Sequence, residues 1–268
     1  MKKRGLRGVA GYSRGLPWVI PAVLLLIWAA ASESQWIPAY LIPAPHVIVD
    51  ATHTYIFGQP DSAPYAGRFL RDAYASGVRV FFGFALAALA GIPLGILSGR
   101  RAMIQKLLGT TLNALRAVPG ICWLPLALVW FGIGMRTTVF LVALAAFFPI
   151  YLNTADGARH LNPLYYRAGA MMGIGRWRGV VAILLPAAMP RIVTGLRLGL
   201  GISWAYLVLG ELTGVPNGLG AVIMDARMLG RIDIIVVGII IIAVMGRLSD
   251  VALITGMRCC FKSARRMP

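Results

Sequence analysis

Long apolar runs, broken by short polar stretches rich in glycine and proline, set the pattern of this chain. They cover Leu16–Ala31, Val80–Ser98, Pro119–Gly134, Thr137–Tyr151, Val180–Gly210 and Ile234 to about Met257. A helix needs about 20 apolar residues to cross a bilayer, so the pattern predicts an all-α membrane protein with about six transmembrane helices. The first run is short for a span and follows Lys2, Lys3, Arg4, Arg7 and Arg14, so it reads either as a span or as a cleaved leader ending near Ala29, Ala30 and Ala31. Pro17 and Pro21 at a helix entry, with Trp28 and Trp36 at the far interface, favour an uncleaved anchor over 16–36. Between this run and the next lies a mixed stretch holding Pro38, Pro43, Pro45, Pro60 and Pro64. Its Ile42, Val47, Ile48, Tyr55 and Ile56 suit a short interfacial helix.

One stretch breaks the apolar pattern differently. Tyr165–Pro190 is polar, punctuated by glycine and rich in arginine. Asn162 followed by Pro163 is a helix start, because the Asn side chain can accept a free backbone N–H and Pro at the first position loses no hydrogen bond. Leu161, Leu164, Tyr165, Ala168 and Met172 recur at helical spacing, and Gly173 and Gly175 supply the backbone that ends the helix. Such a helix reaches only about 15 Å, half of a hydrocarbon core of about 30 Å. It therefore lies outside the bilayer with one apolar face in want of a partner.

Composition agrees. The chain has 268 residues, is 59% hydrophobic and 13% charged, and has a mean hydropathy of +0.76, whereas soluble domains carry about a quarter charged residues. A sizeable soluble catalytic domain does not fit beside the spans. The net charge of +17 is a matter of topology rather than of nucleic acid. With the N-terminus inside, 20 of the 26 lysines and arginines fall on the inside and 6 outside, while seven of the nine acids fall outside; the positive-inside rule then places both termini in the cytoplasm. Cys122, Cys259 and Cys260 have no metal-ligand spacing, and His46 and His53 have no carboxylate or cysteine cluster beside them.

The chain contains no GxxxxGK[ST], HExxH, GxSxG or CxxC pattern, so neither a catalytic residue nor a metal site is predicted, and no cofactor of its own. Ion-coupled carriers need ionisable groups within the membrane. The middles of the second, third, fourth and sixth spans lack them; in the fifth, Arg191 and Arg197 lie toward the inner half and Glu211 at the outer end. Arg197, Trp204 and Glu211 are the candidates for lining a pathway. A multispan protein without a coupling-ion site, bearing an exposed docking helix, points to energy supplied by another subunit. An ion-coupled secondary transporter is the alternative.

The docking segment resembles the EAA loop of bacterial ABC-importer permeases, a pattern of Glu-Ala-Ala, three residues, Gly, and a run ending in Leu-Pro. It stands here as Arg167-Ala168-Gly169, Ala170-Met171-Met172, Gly173, closing at Leu185-Pro186, with Arg167 in place of the motif's glutamate and Gly169 in place of its second alanine. GLRLGLGISWAYLVLGEL from Gly195, GLGAVIMDARMLGRIDIIVVGIIIIAVMGRLSD from Gly218, LIPAPHVI and RAVPGICWLPLALVWFGIG are similar to the nitrate, sulfonate, taurine and bicarbonate importer permeases. The resemblance implies a type I ABC importer permease fold in the bacterial inner membrane. Its implied partners are a second permease copy, a dimer of cytoplasmic ATPases that bind ATP and magnesium, and a periplasmic binding protein delivering a small anion. Tyr166, Arg167, Ala168, Gly169, Met172, Gly173, Leu185 and Pro186 would form the ATPase-coupling loop within 159–186. The division is then a cytoplasmic tail 1–15, a first span 16–36, a periplasmic segment 37–76, a core 77–258 and a tail 259–268.

The charge asymmetry makes a direct prediction. Single cysteines at Gln105 and Gly175 are labelled by impermeant reagents from the cytoplasmic side alone, and those at Asp61 and Asn217 from outside alone; the reverse pattern overturns the orientation.

Overall fold

The computed structural model describes residues 16–34, 38, 41–60 and 62–260; the basic N-terminal tail, Trp36, Asp61 and the tail beyond 260 lie outside the described residues. Eleven helices run in order through them: α1 Leu16–Glu33, α2 Pro45–Phe57, α3 Phe69–Arg100, α4 Ala102–Ala117, α5 Leu124–Phe131, α6 Met135–Arg159, α7 Pro163–Met171, α8 Arg176–Gly179, α9 Leu185–Glu211, α10 Leu219–Met228 and α11 Ile232–Cys260. Four helical stretches are long and apolar enough to cross a membrane: Phe69–Arg100, Met135–Arg159, Val180–Glu211 and Ile232–Cys259. The protein is thus a multi-pass membrane protein. The interfacial helix expected around Ile48 and Tyr55 is α2, which buries those two residues with Ala51.

Two expectations need correction. The second span begins at Phe69 rather than Val80, so the boundary drawn at 77 falls inside a helix. Asp72, Ser76 and Arg79 sit on one face of its first turns, and they are buried; hydropathy alone misses polar turns whose groups are paired. The third span is not the straight helix Pro119–Gly134. A 3-10 turn, Gly120–Trp123, and α5 supply only its second part, and α4 precedes them at a bend of 89°. Pro119 explains the break, since it cannot donate to the preceding turn and disfavours helical backbone at Val118. With the bent pair counted as one, five helical stretches among the described residues are long and apolar enough to cross a membrane. Shorter than these, α1 is exposed along most of its length and meets the core at Trp28.

α6 is the central post, packed against α3 on one side and α9 on the other. Lipid tails are as apolar as leucine, so helices in a bilayer associate through close packing rather than hydrophobic burial. Small residues make that possible here. Gly83, Gly91 and Gly95 lie on one face of α3, where a Cβ would come within 2.5 Å of Val142, 3.0 Å of Ile150 and 2.7 Å of Thr154 on α6. From the other side Gly195 and Gly199 of α9 meet Asn153 and Ile150, each at 2.9 Å from a notional Cβ. Ala87, Ala146, Ile150, Ala188, Ile192 and Leu196 fill the contact between the three. A second apolar cluster joins Trp204 and Leu207 of α9 to Leu219 and Val222 of α10, Val237 and Ile241 of α11, and Ile48 and Tyr55 of α2.

Gly95→Leu should cost about 1–3 kcal/mol or more, because both a side chain and the Tyr151 carbonyl stand in the way. Gly77→Ala, where a Cβ meets nothing within 4 Å, should leave stability unchanged or raise it by about 1 kcal/mol through helix propensity. Thermal midpoints of the detergent-solubilised protein check both; equal midpoints would reject the packing argument.

Candidate functional site

The helix expected after Asn162 and Pro163 is present as α7. The Asn162 side chain accepts the Leu164 N–H at 3.0 Å, and Pro163 occupies the first turn. At the other end the Ile174 N–H bonds to the Gly169 carbonyl at 2.9 Å and the Gly173 N–H to Ala170 at 3.0 Å. That bond pair is a Schellman closure, which needs a left-handed residue at its penultimate position, and Gly173 has φ +73°. Any other residue there meets a penalty of about 1–2 kcal/mol.

A Cβ at Gly169 would run into Ile183, so glycine at this motif position lets α7 sit directly on the turn that leads into α9. That turn, Val180–Leu184, is π-helical, with the Leu185 N–H bonded back to the Val180 carbonyl. Pro186 accounts for it: proline has no N–H, and its ring clashes with the carbonyl four residues earlier, so a wider turn relieves the crowding. Between α7 and this turn lies an apolar groove of about 410 Å³, walled by Tyr165, Ala168, Met172, Ile183 and Pro186. Leu164, Tyr165, Met171 and Met172 are 60–89% exposed, too much apolar surface for a short polar loop to carry without a partner. Arg167 and Ala168 are exposed as well, while the Tyr166 side chain lies outside the described residues.

The three pathway candidates on α9 fall in different surroundings. Arg197 faces α11, where its Nε and Nη2 donate to the two oxygens of Asp250 at 2.9 and 3.1 Å, and Arg247 adds a bond of 3.1 Å to the same carboxylate. Trp204 is buried against Gly246, and its indole N–H donates to Ser249 Oγ at 2.9 Å. Both residues therefore tie α9 to α11. Glu211 is fully buried. Arg79 Nη1 donates to it at 2.5 Å, the Ser76 hydroxyl at 2.7 Å and the Gly220 N–H at 2.8 Å. Ser76 Oγ in turn accepts the Leu219 N–H, Asp72 accepts the Gly218 N–H, and Arg79 also donates to the Asn217 carbonyl. The free amide donors at the start of α10 are thus taken by side chains of α3 and α9, in keeping with the positive end of a helix dipole. Gly218 is required by this closeness, since a Cβ would lie 2.5 Å from the Glu211 carboxylate. Tyr55 of α2 completes the cluster by donating to Asp72 at 3.2 Å; burial, reinforced by the Asp72 charge, pushes its phenol well above the usual range and keeps the proton in place.

Arg79, Ser76, Asp72 and Asp250 escape a reading that treats spans as apolar runs. Their signal is periodicity: 72, 76 and 79 share a helix face, and Arg247 stands three residues before Asp250. Among the described residues no group of three or more His, Cys, Asp or Glu could hold a metal.

Residues 91–253 match the family described as binding-protein-dependent transport system inner membrane component. SsuC of Bacillus subtilis is 34% identical over 93% of this chain and 87% of its own length. The taurine transport system permease protein TauC of Escherichia coli is 31% identical over 90% and 91%, and the nitrate import permease protein NrtB of Synechocystis 31% over 87% and 84%. In structure the chain is similar to the inward-facing MetNI methionine ABC transporter, with a TM-score of 0.58 and 18% identity over 72% of this chain and 99% of the other.

Glu211→Ala, which strands Arg79 without its partner, should lower stability by about 3–5 kcal/mol. The double change Arg79→Met with Glu211→Leu should restore most of it. Thermal unfolding of the three proteins checks this, and a double variant as unstable as the single one would reject the pairing.

Proposed function

The chain belongs to the family of inner-membrane components of binding-protein-dependent transport systems, and from that membership we propose how this permease subunit is driven and what it carries. It has the type I importer permease fold. A cytoplasmic ATPase pair, holding ATP and magnesium, engages α7; a periplasmic binding protein delivers the solute to the face formed by α2 and α10; two permease copies enclose the route across the inner membrane, with both termini in the cytoplasm. Relatives named for taurine and nitrate transport support a small anion as cargo.

The observation that carries this reading is the seat of α7. It is a short helix outside the spans, rigidly closed at both ends and apolar on its exposed face. After a four-residue turn, 172–175, α8 and the π turn run into α9 as continuous helix, and α7 packs back on that turn where Gly169 meets Ile183. A push on α7 is therefore delivered to a span that α6 holds at close quarters. This is the rigid-body arrangement that transmits closure of a partner. In it, Ala168, Gly169, Met172 and Gly173 form the contact and bend, Leu185 and Pro186 the root, and Arg167 the polar flank. A charge at the edge of such an interface chiefly sets approach and partner choice.

In proteoliposomes containing the whole transporter, uptake should require ATP inside together with the binding protein outside, and should persist when proton and sodium gradients are collapsed; gradient dependence would return the reading to an ion-coupled carrier. Gly173→Trp should leave membrane abundance near normal and abolish uptake, since a Cβ there touches nothing within the chain and the new bulk meets the partner. Arg167→Glu should impair uptake more than Arg167→Ala. Normal uptake by Gly173→Trp would remove α7 from the coupling role.

A further inference from the structure

Behind the break between α4 and α5 lies a cavity of about 390 Å³, walled by the middle of α6 and by Ile202 and Tyr206 toward the end of α9. Its polar groups come from Arg116, Trp123 and Tyr206, its apolar wall includes Phe148 and Leu152, and no carboxylate is among its lining residues. Arg116 lies in the last turn of α4. Among the described residues neither Arg116 nor Tyr206 has a hydrogen-bond or ion-pair partner. The aromatic hydroxyl lies against Gly120, where any side chain would collide with it, so the break in the helix gives Tyr206 its room.

The ordinary reading of an arginine at a helix end is an anchor that reaches for lipid headgroups. Here the side chain, exposed in the single subunit, borders a cavity that α6 and α9 also line. It also ends a polar stripe on α4: Gln105, Gly109, Asn113 and Arg116 recur at intervals of four, four and three, which is one helix face. The first three line a second, more polar cavity of about 210 Å³ near the ends of α3 and α6. Leu152 borders both cavities. The one carboxylate in the second cavity, Asp156, is already met by His160 at 2.9 Å and Arg191 at 3.4 Å. The amides of Gln105 and Asn113 thus lead to an exposed guanidinium with no carboxylate beside it, at the rim of a cavity walled in part by aromatic rings, and the helix break opens room there as discontinuous helices do at the solute sites of secondary transporters.

We infer that this cavity is a way-station for a small anion, a sulfonate or oxyanion, held by Arg116 with the Tyr206 hydroxyl as a neutral donor, and that Leu152 separates it from the polar cavity further along α4. The planar fork of Arg116 matches a sulfonate or nitrate edge, where a lysine would offer a point charge. The inference rests on the permease reading above and gives the selectivity for charge to this subunit as well as to the protein that delivers the solute.

The test does not depend on knowing the cargo. In the whole transporter, with Cys122, Cys259 and Cys260 replaced by alanine, a single cysteine is placed at Ile202, which lines the cavity. Its reaction rates with 2-sulfonatoethyl and 2-trimethylammonioethyl methanethiosulfonate are divided by the same rates for 2-mercaptoethanol. The anionic reagent should be favoured about tenfold, a size typical of one charge focused by low-dielectric walls. Methanesulfonate or nitrate at millimolar concentration should slow it. Arg116→Gln should return the ratio to the solution value, Arg116→Lys should keep the preference with weaker protection by methanesulfonate, and Tyr206→Phe should weaken protection alone. A solution-like ratio in the protein with Arg116 intact would make that residue a helix-end anchor and overturn the inference, even in a transporter whose ATP-driven uptake is normal. A preserved ratio in a preparation without ATP-driven uptake would instead count against the permease reading and leave the anion site standing.

Discussion

The close approach of α3 and α9 to α6 is the constraint on which the rest of the molecule depends. A bilayer offers no hydrophobic reward for pressing two apolar helices together, so the contact has to come from dispersion between backbones brought nearer than side chains allow. Glycines on both flanking helices make that approach, and Ile150 of α6 is touched from each side, by Gly91 and by Gly199. The three helices then behave as one post. Elements attached to its two ends inherit its position: α7 through the π turn at one end and α10 through the buried charges at the other.

Those buried charges show how the chain handles groups that the bilayer penalises. Glu211 is stripped of water, but it receives an arginine, a hydroxyl and a helix-terminal amide, so its lone pairs are filled. A buried ion pair contributes little net stability by itself, because desolvation offsets the attraction. Its value is positional. α3 and the pair α9 and α10, more than 130 positions further along, are brought into one register by groups that cannot be separated without exposing an unpaired charge. The Arg197–Asp250 pair is a looser version, half exposed in the single subunit and correspondingly weaker.

How far the sequence was legible follows from which signals are local. α7 could be read to within a residue of its ends because Asn162, Pro163 and Gly173 each act on backbone groups a few positions away. The spans around Ala87, Ala146 and Leu200 could be read from hydropathy. The bend at Pro119 was hidden by its setting: an apolar run on its far side made a single span look sufficient, and in α4 the apolar positions are interrupted by Gln105, Lys106, Thr110, Thr111, Asn113 and Arg116, which breaks the apolar run. The start of α3 was hidden for a related reason. Arg79 and Asp72 look like loop residues until Glu211 and the amides of α10 are known to answer them, and those partners lie more than 130 positions away.

The π turn at the root of α9 carries a further mechanical meaning. It is equivalent to one residue more than an α-helix would hold over the same stretch. An α-helix advances by about 1.5 Å and turns by about 100° for each residue. Rewinding Val180–Leu184 into α geometry would therefore swing α7 through roughly a quarter of a circle about the α9 axis while shifting it by little more than an atom's width. The segment can act as a screw thread, in which a large change of heading at the α7 end corresponds to a very small displacement along the span.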